Sequence, residues 1–433
     1  MKVAILGYGK QGKSAHEYWG SKGNEITVCD QNPELQLPEN VNSQLGENWN
    51  KNLDQFDLLI RSPFVHPREI TKYSSPNILT KVATVTDEFL KVCPTKNVIG
   101  ITGTKGKGTT STLVAKMLEA DGKKVHLGGN IGIPPLDMLK DNIGHDDWVV
   151  LELANFQLID IKHSPHIAVC LMVVPEHLDW HTSDAEYYNS KKQLFMYQTA
   201  EDIAIYFAEN EVSKDIARGG SARKIPYYTE PGAVVQDEKI MIDGQEIIDV
   251  KEIKLLGAHN WQNACAATTV LWQISKNSEA ARKVLSTFTG IEFRLELRRE
   301  LNGVKYYNDS FGTTPETAIV AMQAFEEPKV LILGGSDKGA NYDNLAAEVL
   351  KQNTRKVLLI GDQADRIEES FKKVGFKDYM PGGTSMKEIV KNASAQAMPG
   401  DVVLLSTACA SFDMFKNYQD RGEQYNKAVA ELI

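Results

Sequence analysis

Two short stretches hold the residue types best suited to chemistry. Gly100–Thr110 reads GITGTKGKGTT. Glycines at 103, 106 and 108 free the backbone to turn several N–H groups toward one anion, and Lys107 can reach the outer phosphates of a nucleotide. The spacing departs twice from the usual G-x-x-x-x-G-K-[ST]: Ile101 stands five before Gly106, and Gly108 occupies the place of the hydroxyl that faces magnesium. Thr109 and Thr110 follow one residue late, so either can replace it. With an apolar strand before and an amphipathic helix after, Gly103, Thr104, Lys105, Gly106, Lys107, Gly108, Thr109 and Thr110 are expected to bind the phosphates of a nucleotide. The plainer alternative is a glycine-rich turn with solvated lysines.

The second stretch is DAEYYNSKKQLF. Tyr187, Tyr188, Lys191, Leu194 and Phe195 share one face of a helix, which puts Lys191 in an apolar stripe while Lys192 is turned away by about 100°. Such a lysine either snorkels to water or is buried, losing its proton and leaving a reactive amine. Two further side chains suit a metal. Glu152 lies inside the apolar run VVLEL, where an unpaired carboxylate is costly, and His177 follows another apolar run in VVPEHLDWH. Oxygen ligands with one imidazole fit magnesium beside phosphates better than zinc. The pair His177 and His181 has a zinc-like spacing but no cysteine or third histidine near it in sequence.

The elements that must position these groups are of one type. KVAILG, the run Gly7-Tyr8-Gly9-Lys10-Gln11-Gly12, and EITVCD ending in Asp30 form a strand–GxGxxG–helix–strand–Asp unit. Gly9, Lys10, Gln11, Gly12 and Asp30 are therefore candidates for a nucleotide-diphosphate site, against a reading in which the glycines serve packing alone. DLLIRSP adds a strand and the turn residue Ser62. NVIGIT, WVVLEL and HIAVCLMV read as buried parallel strands, and Asp243-Gly244 between two short runs signals a hairpin. KVLILGG, KVLLIGD and DVVLLS repeat the strand–helix alternation near the C-terminus. A prior of roughly 150 residues per domain gives about three. The expected fold is α/β, in three domains: 1–91, 92–290 and 291–433.

Bulk properties narrow the function. Charged residues number 48 basic and 57 acidic, a net of −9, which argues against nucleic-acid or anionic-membrane binding. The five cysteines form no CxxC pair, so neither a zinc ribbon nor a disulfide framework is expected. The apolar run VAIL is too short for a signal-peptide core, and no stretch is long enough to span a membrane. A cytoplasmic location is expected.

Taken in order along the chain, GITGTKGKGTT, GGNIG, ELANFQL, PEHLDWH, the Lys191 helix, LLGAHNWQNACAA, FRLE, NDS and GGSDKG resemble the Mur ligase family, ATP-dependent enzymes that build the peptidoglycan stem peptide. LLSTACASFDMFKNYQDRGEQY is similar to the branch that adds D-glutamate. The resemblance implies an N-terminal UDP-binding domain, a central ATP-binding domain and a C-terminal glutamate-binding domain. It implies UDP-N-acetylmuramoyl-L-alanine and D-glutamate as substrates, an acyl-phosphate intermediate, two magnesium ions, and a monomer. Lys107 would contact phosphates. Glu152, His177, Thr109 and a carbamylated Lys191 would hold metal. Asn130 would touch the UDP substrate, Asn263, Arg294 and Asp309 the ATP, and Thr313, Lys338, Ser411 and Tyr418 the glutamate.

The chain departs from the family pattern at Gly108, at Ala154-Asn155 (usually Ser-Ser), at Phe64 (usually Gly), at Phe293 (often His) and at Phe311 (usually Lys). The TTPE that follows resembles sister ligases adding alanine or a diamino acid. Rival readings are a ligase for L-glutamate or another amino acid, a folylpolyglutamate-type ligase, a nicotinamide-dependent dehydrogenase, and a catalytically silent nucleotide-binding homologue.

Overall fold

The computed structural model describes all residues except 40, 131, 178, 179, 256, 258, 338 and 339, and the side chain of residue 259. The chain forms two compact units, Met1–Phe288 and Thr289–Ile433.

The first unit opens with five parallel strands: β1 (Lys2–Leu6), β2 (Glu25–Asp30), β3 (Asn42–Leu45), β4 (Leu58–Arg61) and β5 (Val82–Thr84). Their order is β3-β2-β1-β4-β5, so the chain reverses its winding between β1 and β4. In such sheets ligands bind beyond the carboxyl ends of the strands at that reversal. Gly7–Gly12 and Ser62–Val65 lie there. Both faces of β1 are buried, which is why it reads as an unbroken apolar run rather than an alternation.

A second parallel sheet follows, with β6 (Val98–Thr102), β7 (Val125–Gly129), β8 (Trp148–Glu152), β9 (Ile167–Cys170), β10 (Ile203–Phe207) and β11 (Arg223–Tyr227). Its order is β11-β10-β9-β6-β8-β7. The glycine-rich loop leaves β6 at the centre, and Glu152 ends the adjoining β8. The predicted hairpin is present: β13 (Lys239–Ile242) and β14 (Gln245–Asp249) pair antiparallel and, with β12 (Val234–Gln236), make a three-stranded sheet. Asp243 and Gly244 both take positive φ, 53° and 74°, as a tight two-residue turn requires.

The second unit holds β15 (Glu296–Leu301), β16 (Val304–Asn308), β17 (Lys329–Gly334), β18 (Thr354–Ile360), β19 (Tyr379–Pro381) and β20 (Val402–Leu405). The order is β15-β16-β20-β17-β18-β19, parallel apart from the β15–β16 pair. Apolar clusters cover both faces of this sheet.

One buried charge organises the reversal point of the first sheet. Arg61, at the end of β4, is almost wholly buried, and its guanidinium makes a two-pronged ion pair with Asp160 at 2.7 and 2.6 Å. Its other N–H groups donate to the carbonyls of Ser62, Pro63, Val65 and Phe156, at 2.9 to 3.2 Å. The loop after β4 is thus wrapped around a cation. Removing one partner of a buried pair strands the other, so Asp160→Leu should cost about 3–5 kcal/mol. Urea unfolding measures this, and a loss below about 1 kcal/mol would show the guanidinium to be satisfied by carbonyls alone.

Candidate active site

The loop after β6 turns on glycines because no other residue fits. Gly106 has φ 85° and caps the helix Lys107–Ala120; a Cβ there would stand 2.3 Å from Asn263 Oδ1. Gly103 has φ 149°, and its Cβ would meet Leu171 Cβ at 2.7 Å. The N-terminal turn of the helix therefore turns its first N–H groups and its positive dipole end to the loop. Lys107 curls back, its Nζ donating to the carbonyls of Gly103 (3.0 Å) and Thr104 (2.9 Å). Lys105 is exposed and pairs with Glu176 at 2.7 Å. Burial tends to raise the Glu176 carboxyl, but Lys105 and its neighbours hold it below the usual value.

Lys191 belongs to the same group. The helix Asp184–Met196 starts at the N-cap Ser183 and buries Tyr187, Ser190, Lys191, Leu194 and Phe195. The Tyr187 hydroxyl meets Thr104 Oγ1 at 2.9 Å, and Lys191 Nζ donates to Gly103 O at 3.0 Å while lying 4.5 Å from the Tyr187 ring centre. Two lysines thus share one carbonyl. Lys191 is 1% exposed and does not snorkel. Loss of water, and then the charge on Lys107, push its ammonium down to about 7.

Glu152 is buried, accepts from Asn130 Nδ2 at 2.9 Å, and its backbone carbonyl takes the Asn130 N–H at 2.7 Å. His177 has φ 59°; its ring lies 4.8 Å from that of Phe156, and its Nε2 is 3.5 Å from Glu176. His181 turns elsewhere. Its ring nitrogens face the Asn155 amide (2.7 Å) and Glu186 (3.3 Å), and the fold brings it a third histidine, His66, that sequence spacing did not offer. Thr110 Oγ1 is engaged with Asn263 Oδ1 at 3.3 Å, while Thr109 sits half-buried in the helix's first turn.

Beyond β1 and β4 lies a cavity of about 350 Å³. Gly9, Lys10, Gln11, Asp30, Ser62 and Asn130 all line it. Gly12 lies beneath, where a Cβ would stand 2.1 Å from Gly7 O. Asp30 accepts the backbone N–H groups of Tyr8 (2.8 Å) and Asn32 (2.9 Å), Ser62 Oγ donates to Gly7 O, and Lys10 Nζ donates to Gly132 O. Trp49, Phe64 and Phe156 add aromatic walls that the sequence reading missed. A lone aromatic beside a Ser-Pro turn carries no local signal of a ligand.

In the second unit, Asp309 is buried, accepts from Ser406 Oγ (2.6 Å) and Leu295 N (3.2 Å), and is pushed up to about 6 by burial. Arg294 stacks over the Phe311 ring at 5.8 Å, and Phe311 meets Tyr418 edge-on at 5.4 Å. Ser411 is buried, and Thr313 half-buried. Lys338 lies outside the described residues.

Residues 101–271 match the Mur ligase middle domain, and residues 293–409 the Mur ligase glutamate ligase domain. Over its full length the chain is 37% identical to the UDP-N-acetylmuramoylalanine–D-glutamate ligase of Acetivibrio thermocellus, covering 96% of that protein. The enzyme of the same name from Clostridium tetani is 35% identical, with 97% of it covered. The chain belongs to the Mur ligase family. Members of that family are ATP-dependent, amide-forming ligases that use magnesium, and this Mur ligase is one of them. The fold agrees: the UDP-N-acetylmuramate–alanine ligase of Thermotoga maritima superposes with a TM-score of 0.55 at 17% identity, covering 99% of each chain. The MurF ligase of the same organism, in complex with ADP, gives 0.53 at 17% identity, over 99% of this chain and 95% of that one.

The neutral Lys191 amine has a thermodynamic signature. The unfolded chain keeps that proton up to the ordinary lysine range, whereas the folded chain releases it near pH 7. Between these values the unfolded state binds more protons, so stability rises with pH. In CO2-depleted buffer Lys191→Met should be the more stable protein at pH 7, on the order of 4 kcal/mol, with the gap falling below about 1 kcal/mol at pH 10. A gap independent of pH in denaturant titrations would mean that the amine stays charged.

Proposed function

We propose that this Mur ligase joins D-glutamate to UDP-N-acetylmuramoyl-L-alanine at the expense of ATP, in peptidoglycan precursor synthesis. The observation that carries the reading is the Lys191 amine held on the phosphate loop beside Lys107. Full-length likeness to two ligases named for that reaction supports the substrates. We assign residues 1–91 to the UDP substrate, 92–290 to ATP and 291–433 to glutamate, in a cytoplasmic monomer.

The UDP moiety suits the cavity beyond β1: backbone N–H groups at Gly9 and the helix behind it face a diphosphate, and Lys10 adds a charge. ATP suits the loop Gly103–Thr110, with Asn263, Arg294 and Asp309 as further contacts. On nucleotide binding, Lys107 exchanges its two backbone carbonyls for phosphate oxygens, a stronger, charge-assisted bond. Thr313, Lys338, Ser411 and Tyr418 are assigned to the incoming amino acid.

The donor set fits magnesium, since the buried Glu152 carboxylate and the His177 imidazole stand near loops built for an anion. Lys191 completes the set after carbamylation: its neutral amine adds CO2, forming an N–C bond, releasing a proton and leaving an anionic carbamate. Thr109 is the assigned hydroxyl. Bound magnesium supplies neutralisation of the triphosphate charge.

The substrate carboxylate attacks the γ-phosphorus, the bond to the β-phosphate oxygen breaks, and an acyl phosphate and ADP result. Lys107 is positioned to hold the transferring oxygens. The glutamate amine then adds to the acyl carbon, loses a proton, and phosphate departs with the C–O bonding pair. No side chain needs to act as nucleophile.

Phosphate release should therefore require ATP, UDP-N-acetylmuramoyl-L-alanine and D-glutamate together. Lys107→Met should lower the rate by at least about 100-fold. Preference for L-glutamate would replace the acceptor named here, and the absence of phosphate release with every amino acid of a panel would make the chain a silent homologue. Lys191→Ala should lose activity and recover part of it with added short-chain carboxylic acids, which stand in for the carbamate; full activity without them would rule the carbamate out.

A further inference from the structure

Ser62–Val65 form a wall of the substrate cavity, and the next residue leaves that wall for a part of the molecule the reaction does not account for. His66 is buried and caps the short helix Pro67–Thr71, its Nδ1 accepting the Arg68 N–H at 3.1 Å. A backbone N–H can only donate, so a neutral His66 carries its proton on Nε2. That nitrogen lies 3.3 Å from Glu186 Oε1. The other carboxylate oxygen accepts the Thr182 N–H at 2.7 Å and lies 3.3 Å from His181 Nδ1. Burial lowers both imidazoles, which favours their neutral forms.

Among the described residues, His66, His181 and Glu186 form the one group of histidine and acid side chains compact enough for a metal, with ligand atoms within 4.8 Å of one another. The tautomer argues otherwise. With Nδ1 of His66 occupied by a backbone donor, Nε2 offers a proton rather than a lone pair. The cluster is a carboxylate bonded to Thr182 N and His181 Nδ1, with His66 Nε2 close beside it at 3.3 Å but not aligned for a full hydrogen bond.

Glu186 lies in the first turn of the helix that carries Lys191, and its own N–H caps onto Ser183 Oγ at 3.2 Å. One residue on, Tyr187 touches Thr104, and one turn further Lys191 touches Gly103. A continuous path of contacts thus runs from the cavity wall to the phosphate loop. Trp180 reinforces it, its Nε1 donating to Phe64 O at 3.0 Å and its ring 4.3 Å from that of His66.

We propose that Glu186, His66 and His181 are positioning residues for the ligation: a carboxylate clamp that fixes the substrate-cavity wall to the Lys191 helix, so that the substrate carboxylate meets the phosphate loop in register. The inference rests on the cavity taking the UDP substrate.

Three substitutions test it in the full-length enzyme. His66→Asn keeps an acceptor for the Arg68 N–H but cannot reach Glu186. His66→Gln supplies a donor at the Nε2 position. Glu186→Gln keeps an acceptor for Thr182 but turns an NH2 toward the His66 N–H. His66→Asn and Glu186→Gln should each melt within a few degrees of wild type, yet lose about tenfold in kcat/KM for the UDP substrate, with the KM for ATP little changed. The double variant should be no worse than either single one, and His66→Gln should recover most of the loss. Unchanged kinetics in both single variants, or fully additive losses in the double, overturn the clamp. So does one tightly held zinc per chain in wild-type protein, lost from His66→Asn. Calorimetry separates the two readings. If wild type fails to bind the UDP substrate, the cavity assignment and the clamp fall together; if it binds while the variants keep wild-type kinetics, the clamp alone falls.

Discussion

Two lysine side chains converge on one backbone carbonyl, and most of the site follows from making that arrangement tolerable. A buried ammonium is costly by desolvation, and a second cation nearby raises the cost further. The structure meets this by letting Lys191 go neutral and giving its amine an acceptor in Gly103 O and an aromatic face in Tyr187. Lys107, at the loop mouth, donates to two backbone carbonyls, Gly103 O and Thr104 O. A loop able to offer those carbonyls must turn inward, and glycines at 103 and 106 permit that turn against Leu171 and Asn263. Glycine spacing, lysine burial and helix placement are therefore one requirement.

Loops that carry residues assigned to substrate are held by a second device, a buried arginine, found in each unit among the described residues. Arg61 and Arg421 are both almost wholly buried, and both spend most of their donors on loop oxygens. Arg421 donates to Ser310 Oγ (2.8 Å), Ser310 O (2.7 Å) and Cys409 O (3.1 Å), joining the Asn308-Asp309-Ser310 turn to the loop before Ser411. Burial lowers its guanidinium to about 10, still charged at neutral pH. A planar cation with five fixed donors can set several carbonyls at once, which a hydrophobic plug could not. The cost is rigidity of design, since each arginine leaves a buried charge if its partners move.

What could be read from the chain was whatever is encoded locally. Buried strands show as unbroken apolar runs, the Asp243-Gly244 hairpin as a dipeptide, and Lys191 as a charge on the wrong side of a helical stripe. The same logic that singled out Glu152 within an apolar strand applied to Arg61 at the end of DLLIR, but its partner Asp160 lies 99 residues away and gave no local hint. Ser183-x-x-Glu186 is a helix-start pattern, which hid the second task of Glu186 behind the first. The departures from the family pattern looked like isolated losses because their pairing is spatial. Asn155 faces His181, Phe64 packs on Phe156 with ring centres 5.3 Å apart, and Phe311 donates its N–H to Phe293 O at 2.8 Å.

Gly108 is the departure that bears most directly on the metal. The chain offers four consecutive hydroxyls from Thr109 to Thr112, but the last three are committed: Thr110 to Asn263, Ser111 to Lys107 O and Thr112 to Gly108 O. Thr109 remains, displaced from the usual position by one helical residue, about 100° around the axis and 1.5 Å along it. A hydroxyl moved that far cannot approach a cation from the same side as one directly after the lysine. The other groups assigned to the metal stay in place: Glu152 at the end of β8, His177 in the loop after β9, and Lys191 on its helix. Under the proposed carbamylation of Lys191, coordination would lean on charge from Glu152 and Lys191 more than on a neutral oxygen.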